Sequence, residues 1–151
     1  MKPPVRQTRT IVRRINDHDS IELEIPIDDT LKPAHLMERL ENSGNKYTAE
    51  DVLMIAETPE GDLRWLEQGN PNAGLVHIYN RHLGDFKKRS VNKADIPFFL
   101  HKVLQKTPVE TGVNEVGPYA VYISDGKRYL VAHGNNGFVV SFFPLKGNEK
   151  K

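Results

Sequence analysis

A histidine-rich stretch in the middle of the chain, GLVHIYNRHL, has the residues for acid–base chemistry on a phosphate. His77 and Arg81 are four residues apart, so in a helix they lie side by side on one face, while His82 falls on the apolar side. Histidine titrates near neutral pH, and arginine stays cationic and binds phosphate oxygens with paired donors. Two interpretations follow. The stretch combines proton carriers with a phosphate ligand, or it contains a surface histidine at 77 and a core histidine at 82.

Three apolar runs near the carboxyl end predict an antiparallel meander that carries further polar groups. Asp125-Gly126 and Asn135-Asn136 are hairpin signals between these runs. If each turn has two residues, one sheet face carries these cross-strand rows: Ile123, Arg128 and Phe143, then Val121, Leu130 and Ser141, extended by Tyr119, Ala132 and Val139. Arg128 and Ser141 then either meet the helix of His77 across this face, or Arg128 reaches solvent and Ser141 fills a small gap.

Histidine, arginine and a hydroxyl suit the cleavage of RNA. The 2′-hydroxyl of RNA attacks its own phosphate, so the enzyme needs a base, an acid and fixed positive donors for the charge on the phosphorane. DNA lacks that nucleophile and would be spared. The candidate catalytic residues are His77, His82, Arg81, Arg128 and Ser141. The sequence leaves open which histidine is the acid and which is the base.

Several other reaction classes lack their residues in this chain. With no cysteine there is no disulfide, no thiolate metal site and no thiol nucleophile. His77 and His82 are five residues apart and stand outside an HExxH frame, which disfavours a zinc site, and we expect no metal or other cofactor. The chain also lacks the G-x-S-x-G motif, the Walker loop and G-x-G-x-x-G.

Length and composition predict one domain, or one domain with a small appended part. The chain has 151 residues, of which 38% are hydrophobic and 27% are charged. No apolar run approaches the roughly 20 residues of a membrane-spanning helix, so no integral membrane segment is expected. The amino terminus lacks the apolar region of a secretory signal.

Charge is divided unevenly along the chain. Residues 1–76 contain 9 basic and 14 acidic side chains, whereas residues 77–151 contain 12 basic and 6 acidic ones. A basic second half is typical of a surface that binds a polyanion. The acidic first half either covers that surface or is simply solvated.

The first half of the chain predicts short mixed elements. TRTIVRRI and IELEIPI favour strands, with Pro26 keeping the second at a sheet edge, and KPAHLMERLENSG favours a short helix. VLMIA fits either a helix or a buried strand. The turn-rich segment TPEGDLRWLEQGNPNAG then forms the junction with the second half.

The second half predicts a helix over about residues 74–83, a second helix in ADIPFFLHKVLQK with Asp95 as its cap, and then the meander. The predicted fold class is therefore α+β. Two helices pack on one side of an antiparallel sheet of three or more strands, with a small mixed α/β part before them. We place the division between residues 1–60 and residues 61–151.

The order of the motifs resembles a known nuclease superfamily. W…GN…GL-x-HI-x-x-RH-x-x-x-F, an IP-led helix and NGF-V-V-S-x-x-P are similar to the barnase, EndoU, colicin and RelE-like nucleases. Within this superfamily, the chain most resembles EndoU-type and phage-associated toxin domains of contact-dependent inhibition and other polymorphic toxin proteins. The likeness covers about residues 63–145. The matching residues are Trp65, Gly69, Asn70, Gly74, Leu75, His77, Ile78, Arg81, His82, Phe86, Ile96, Pro97, Asn136, Gly137, Phe138, Ser141 and Pro144.

The resemblance implies a metal-independent toxin endoribonuclease of bacterial competition. It would cut RNA, often transfer RNA, to a 2′,3′-cyclic phosphate in the target-cell cytoplasm, after delivery as part of a larger toxin protein. A cognate immunity protein would neutralise it. Residues 1–60 would be an entry segment or an extra layer of the fold. The alternative is a non-catalytic nucleic-acid-binding or phage structural module that retains the fold.

The resemblance also implies roles for single residues. His77 matches the helix histidine, with Arg81 and His82 beside it, and Ser141 matches the hydroxyl of the last strand. EndoU proteins use two histidines and a lysine, and Lys127 or Arg128 would stand in for that lysine. The residues expected to contact the substrate are Lys127, Tyr119 and Asn136.

Overall fold

The predicted α+β class is confirmed by a computed structural model, which describes residues 7–27 and 29–146. The described helices are α1 (Ala34–Glu41), α2 (Leu75–Lys87) and α3 (Ile96–Leu104). The described strands are β1 (Thr8–Arg14), β2 (Ser20–Pro26), β3 (Val52–Glu57), β4 (Leu63–Glu67), β5 (Glu110–Val113), β6 (Pro118–Ser124), β7 (Lys127–His133) and β8 (Val139–Leu145). In this part of the chain, no helix is long and apolar enough to span a membrane.

The strands form three antiparallel groups. β1 pairs with β2, β3 pairs with β4, and the last four strands form a sheet in the order β5-β6-β7-β8. VLMIA is therefore a strand, and the predicted meander gains β5 as a fourth strand. Asp95 precedes α3 as expected, but its side chain makes no capping hydrogen bond.

Helix α2 forms because its apolar residues recur every three or four positions and are buried together. They are Leu75, Val76, Ile78, Tyr79 and Phe86. The predicted end near residue 83 is one turn too early. The helix continues because Phe86 packs in the core, with its ring centroid 5.1 Å from that of Phe142 on β8.

The two faces of the four-stranded sheet have different surroundings. One face, which includes Tyr129 and Phe142, shares the largest core cluster with α2 and α3. The other face has a smaller cluster of sheet residues, namely Val121, Leu130, Ala132 and Leu145, with Tyr119, Val140 and Phe143 packed against them. One face of the sheet therefore packs in the main core, while the second face carries a separate, smaller cluster.

The predicted pairing of β6 with β7 is confirmed, since Ile123 lies opposite Arg128 and Val121 lies opposite Leu130. The predicted pairing of β7 with β8 is wrong by two residues. Their pairs are Arg128 with Leu145, Leu130 with Phe143, and Ala132 with Ser141.

The cause of this shift is the connection between β7 and β8, which is longer than a two-residue turn. Gly137 donates its backbone N–H to the oxygen of Gly134 (3.1 Å), and Gly134 donates to the oxygen of Phe138 (2.8 Å). The register also shifts between Ala132 and His133, as in a β-bulge.

The first part of the chain shares the main core with the second part. Leu23, Ile25 and Met54 belong to the same cluster as the buried residues of α2 and α3. The predicted boundary at residue 60 falls in the turn between β3 and β4, which pair with each other. An entry role for residues 1–60 stays a prediction, but their strands also complete the core.

We therefore expect Leu23→Ala on β2 to lower the free energy of unfolding by about 2–5 kcal/mol, because it removes a fully buried side chain and leaves a cavity. Val12→Ala on the neighbouring strand is the matched control, since Val12 is exposed, and it should cost about 0.5 kcal/mol or less. Urea unfolding followed by circular dichroism measures both. Equal effects of the two substitutions would show that the first hairpin is not part of the core.

Candidate active site

Helix α2 runs along the outer edge of β8. At its start, the backbone N–H of Gly74 donates to the oxygen of Val140 on β8 (3.0 Å). Beyond its end, the guanidinium of Arg89 donates to the oxygen of Arg128 (2.7 Å) and to the oxygen of Leu145. The same guanidinium lies 4.9 Å from the ring centroid of Tyr129. Both ends of the helix are thus fixed to the sheet.

His77 joins helix α2 to strand β8 through its side chain. Its Nε2 lies 3.1 Å from the hydroxyl oxygen of Ser141, and its Nδ1 lies 2.9 Å from the backbone oxygen of Pro71. Ser141 is only 5% exposed. A hydroxyl so enclosed is better placed to hold an imidazole than to attack a substrate itself.

His82 lies next to His77, and the centroids of the two imidazole rings are 5.8 Å apart. The His82 ring stacks on Phe143, with centroids 4.6 Å apart and planes inclined by 20°, and its Nδ1 lies 3.3 Å from a carboxylate oxygen of Asp85. Burial lowers the pKa of His82. The hydrogen bond to Asp85 opposes this shift, whereas the positive charges of His77 and Arg81 add to it. Burial is the largest of these effects, so the neutral form of the ring is favoured.

A cleft of about 380 Å³ opens beside His82, between the end of α2 and the strands β7 and β8. Among the residues that the structure describes, its basic lining residues are Lys88, Arg89, Lys127 and Lys146, and its acidic one is Asp85. Phe143 and Pro144 supply its apolar surface. The excess of positive charge makes the cleft attractive to phosphate groups.

The structure brings four of the eight sequence-predicted site residues to this region. His77, His82 and Ser141 are neighbours, and Lys127 lines the cleft. A fifth, Arg81, lies on the same helix and is exposed.

Arg128 lies away from His77. It pairs with Leu145, four residues along β8 from Ser141, which corresponds to about 13 Å of strand. Its guanidinium lies 4.0 Å from the carboxylate of Glu110 on β5. The expectation that Arg128 meets His77 across the sheet depended on the wrong register of β8.

Tyr119 and Asn136 also lie outside the cleft beside His82. The hydroxyl of Tyr119 donates to Glu110 (3.2 Å), and its ring borders a different cleft, of about 330 Å³, together with Arg64 and His133. The side-chain oxygen of Asn136 accepts the N–H of Phe138 (3.1 Å) and stabilises the turn before β8.

Sequence reasoning missed six residues of this region, namely Asp85, Lys88, Arg89, Phe143, Pro144 and Lys146. Asp85 is three residues after His82, a spacing that brings two side chains together on a helix. The predicted helix ended one turn too early to include Asp85. Phe143 needed the correct register of β8. The bonds of Arg89 to two carbonyl oxygens depend on tertiary structure and leave no local signal.

No protein-family model matches the chain, and no curated protein matches it. Among the described residues, no three His, Asp or Glu side chains are grouped to hold a metal ion. The nuclease superfamily therefore remains a resemblance carried by short motifs.

Burial lowers the pKa of both His82 and His133 in the folded protein. Just below the ordinary histidine pKa of about 6.5, the unfolded chain therefore binds more protons than the folded chain. The neutral rings stabilise the fold fully above that pH, and this contribution is lost as the pH falls through the lowered pKa values. We expect the free energy of unfolding to decrease as the pH falls below about 6.5. His82→Gln should reduce this slope in urea unfolding.

His35→Gln is the control for this measurement, because it replaces an exposed histidine on α1 by the same residue. His133→Gln tests the second histidine separately. If neither His82→Gln nor His133→Gln changed the slope, burial would not explain the acid sensitivity of the fold.

Proposed function

We propose that the protein is a metal-independent endoribonuclease that cleaves RNA by 2′-O-transphosphorylation to a 2′,3′-cyclic phosphate. The observation that supports this best is the pair of imidazole rings of His77 and His82, 5.8 Å apart, of which the His82 ring lines a basic cleft. One ring can contact the attacking oxygen of a phosphodiester while the other contacts the leaving oxygen, since each needs only a hydrogen bond of about 2.6–3.2 Å.

His82 is the general base in this mechanism. The carboxylate of Asp85 can only accept, so the Nδ1 beside it carries the proton and Nε2 keeps its lone pair. Because burial favours the neutral ring, Nε2 is ready to take the proton of the 2′-hydroxyl. The carboxylate then stabilises the imidazolium that forms.

His77 is the general acid. When it is protonated, both of its N–H groups face oxygens that accept hydrogen bonds, the carbonyl of Pro71 and the hydroxyl of Ser141. The O2′–P bond forms and the P–O5′ bond breaks, and the Nε2 proton of His77 passes to O5′. Lys88, Lys127 and Lys146 on the cleft bind the phosphates of the substrate strand.

The biological setting of this activity comes from the resemblance of the motifs alone. We infer a toxin of bacterial competition, with transfer RNA as the substrate, a cognate immunity protein as the partner and the target-cell cytoplasm as the place of action. Delivery as part of a larger protein belongs to the same proposal. The positive cleft is what supports a polyanionic substrate.

The first test is to incubate the protein with total RNA in the presence of EDTA and to identify the new ends. We expect 2′,3′-cyclic phosphates, and no cleavage of an oligonucleotide that is 2′-deoxy at the cut position. His77→Ala and His82→Ala should each reduce the rate by about 10²–10⁴-fold, the usual contribution of a general acid or base. Sequencing the ends identifies the RNA that is cut.

His35→Ala is the matched control, because it replaces an exposed histidine on a different helix. Unchanged cleavage by His77→Ala would contradict the assignment of the site. If the wild-type protein bound RNA and cut none, the proposed activity would be wrong, and a non-catalytic nucleic-acid-binding module would explain the cleft instead.

A substrate with sulfur in place of the 5′-oxygen separates the two proton roles, because a thiolate leaves without a general acid. We expect His77→Ala to recover most of its lost rate on this substrate. His82→Ala should stay slow on both substrates, since it lacks the base. Rescue of His82→Ala alone would reverse the assignment of acid and base.

A further inference from the structure

The loop before α2 provides a hydrogen-bond partner for the His77 ring through a backbone atom. The carbonyl oxygen of Pro71 lies 2.9 Å from Nδ1 of His77 and can only accept a hydrogen bond, so the neutral ring must carry its proton on Nδ1. Nε2 then accepts the hydroxyl of Ser141 at 3.1 Å. Free histidine prefers the opposite tautomer, with the proton on Nε2, so the loop has to impose this one.

The loop can hold its carbonyl in place because it is bonded to itself. The backbone N–H of Asn70 donates to the oxygen of Ala73 (2.9 Å), and the N–H of Ala73 donates back (3.2 Å). The side-chain oxygen of Asn70 accepts the N–H of Asn72 (2.8 Å). These bonds enclose Pro71 in a tight turn.

Two glycines make this turn sterically feasible. Gly69 and Gly74 both have positive φ, +75° and +87°. A Cβ at Gly69 would come within 2.1 Å of the oxygen of Ala73, and a Cβ at Gly74 within 2.9 Å of the oxygen of Glu67. A side chain at either position would therefore displace the backbone that carries Pro71.

The loop is also attached to the elements on either side of the imidazole. Gly74 donates to the oxygen of Val140, the residue before Ser141, and Val76 donates to the oxygen of Gln68. The carbonyl and the hydroxyl that hold the His77 ring are thus fixed relative to each other by the same backbone contact.

We propose that the loop Gly69–Gly74 is the positioning element of His77: the Pro71 carbonyl fixes the proton on Nδ1 and turns Nε2 toward Ser141 and the reacting phosphate. The catalytic consequence rests on the proposed ribonuclease function. The tautomer itself depends only on the structure, so it can be measured in the absence of RNA.

The test is ¹⁵N NMR of the histidine rings at pH 8, on the full chain, with His77→Gln used to assign the signal. We expect the Nδ1–H tautomer in the wild type and also in Ser141→Ala, which keeps the Pro71 carbonyl. Asn70→Ala, which removes the side-chain bond within the loop, should shift the ring toward the Nε2–H tautomer. Asn70→Asp should restore it, because its carboxylate accepts the same N–H.

The same variants are then assayed on RNA. We expect Asn70→Ala to lower kcat by about 10–100-fold, as for other groups that orient a reacting side chain, with KM changed less than twofold. Gly69→Ala should act in the same direction more strongly. Gly84→Ala is the control, because a Cβ at this helix position meets no atom within 4 Å, and it should change neither the tautomer nor kcat.

An Nε2–H tautomer in the wild type would overturn the inference. Loss of the Nδ1–H tautomer in Ser141→Ala, with its retention in Asn70→Ala and Gly69→Ala, would also overturn it. If Asn70→Ala fails to fold, Gly69→Ala and Ser141→Ala still decide between the two partners. If the NMR result is as expected but the wild type cleaves no RNA, the loop still positions His77 and the ribonuclease function is wrong.

Discussion

The contact of α2 with the edge of β8 is the constraint on which the candidate site depends. Gly74 bonds to β8 at one end of the helix, Arg89 bonds to β7 and β8 beyond the other, and Phe86 packs in the core between them. Because the apolar side of α2 is committed to the core, the rotation of the helix about its axis is fixed. The two imidazoles are thereby held against β8, where a hydroxyl and an aromatic ring meet them.

The electrostatics of the site differ between its lysines and His82. The lysines on the cleft draw a polyanion toward it, whereas burial favours the neutral form of His82 in the same region. Burial is the largest cause of the lowered pKa, so the neutral form is favoured even with a carboxylate beside it. A bound phosphate would bring negative charge close to His82 and favour its protonated form, which is the direction that the proposed general-base role requires.

Sequence reasoning was strongest where one element decides the outcome and weakest where two elements meet. The spacing of apolar residues in α2 predicted that His77 and His82 differ, and the hairpin signal at Asp125-Gly126 predicted the register of β7 with β6 correctly. The Asn135-Asn136 signal failed because Gly134 and Gly137 form a longer connection, followed by a bulge. Arg89 was missed because its carbonyl partners are 39 and 56 residues away, and the Pro71 carbonyl is a backbone atom that has no sequence signature.

The bulge in β8 also determines on which side of the sheet Ser141 lies. A two-residue turn would pair Ala132 with Val139. The longer connection shifts the pairing by one residue, so that Val139 lies opposite His133. The bulge shifts it by one more, so that Ser141 lies opposite Ala132. Since side chains alternate along a strand, either change alone would have turned the Ser141 hydroxyl into the main core, away from the imidazole. A change in the length of this loop would therefore keep Ser141 on the imidazole side only in steps of two residues, or in single steps matched by the gain or loss of the bulge.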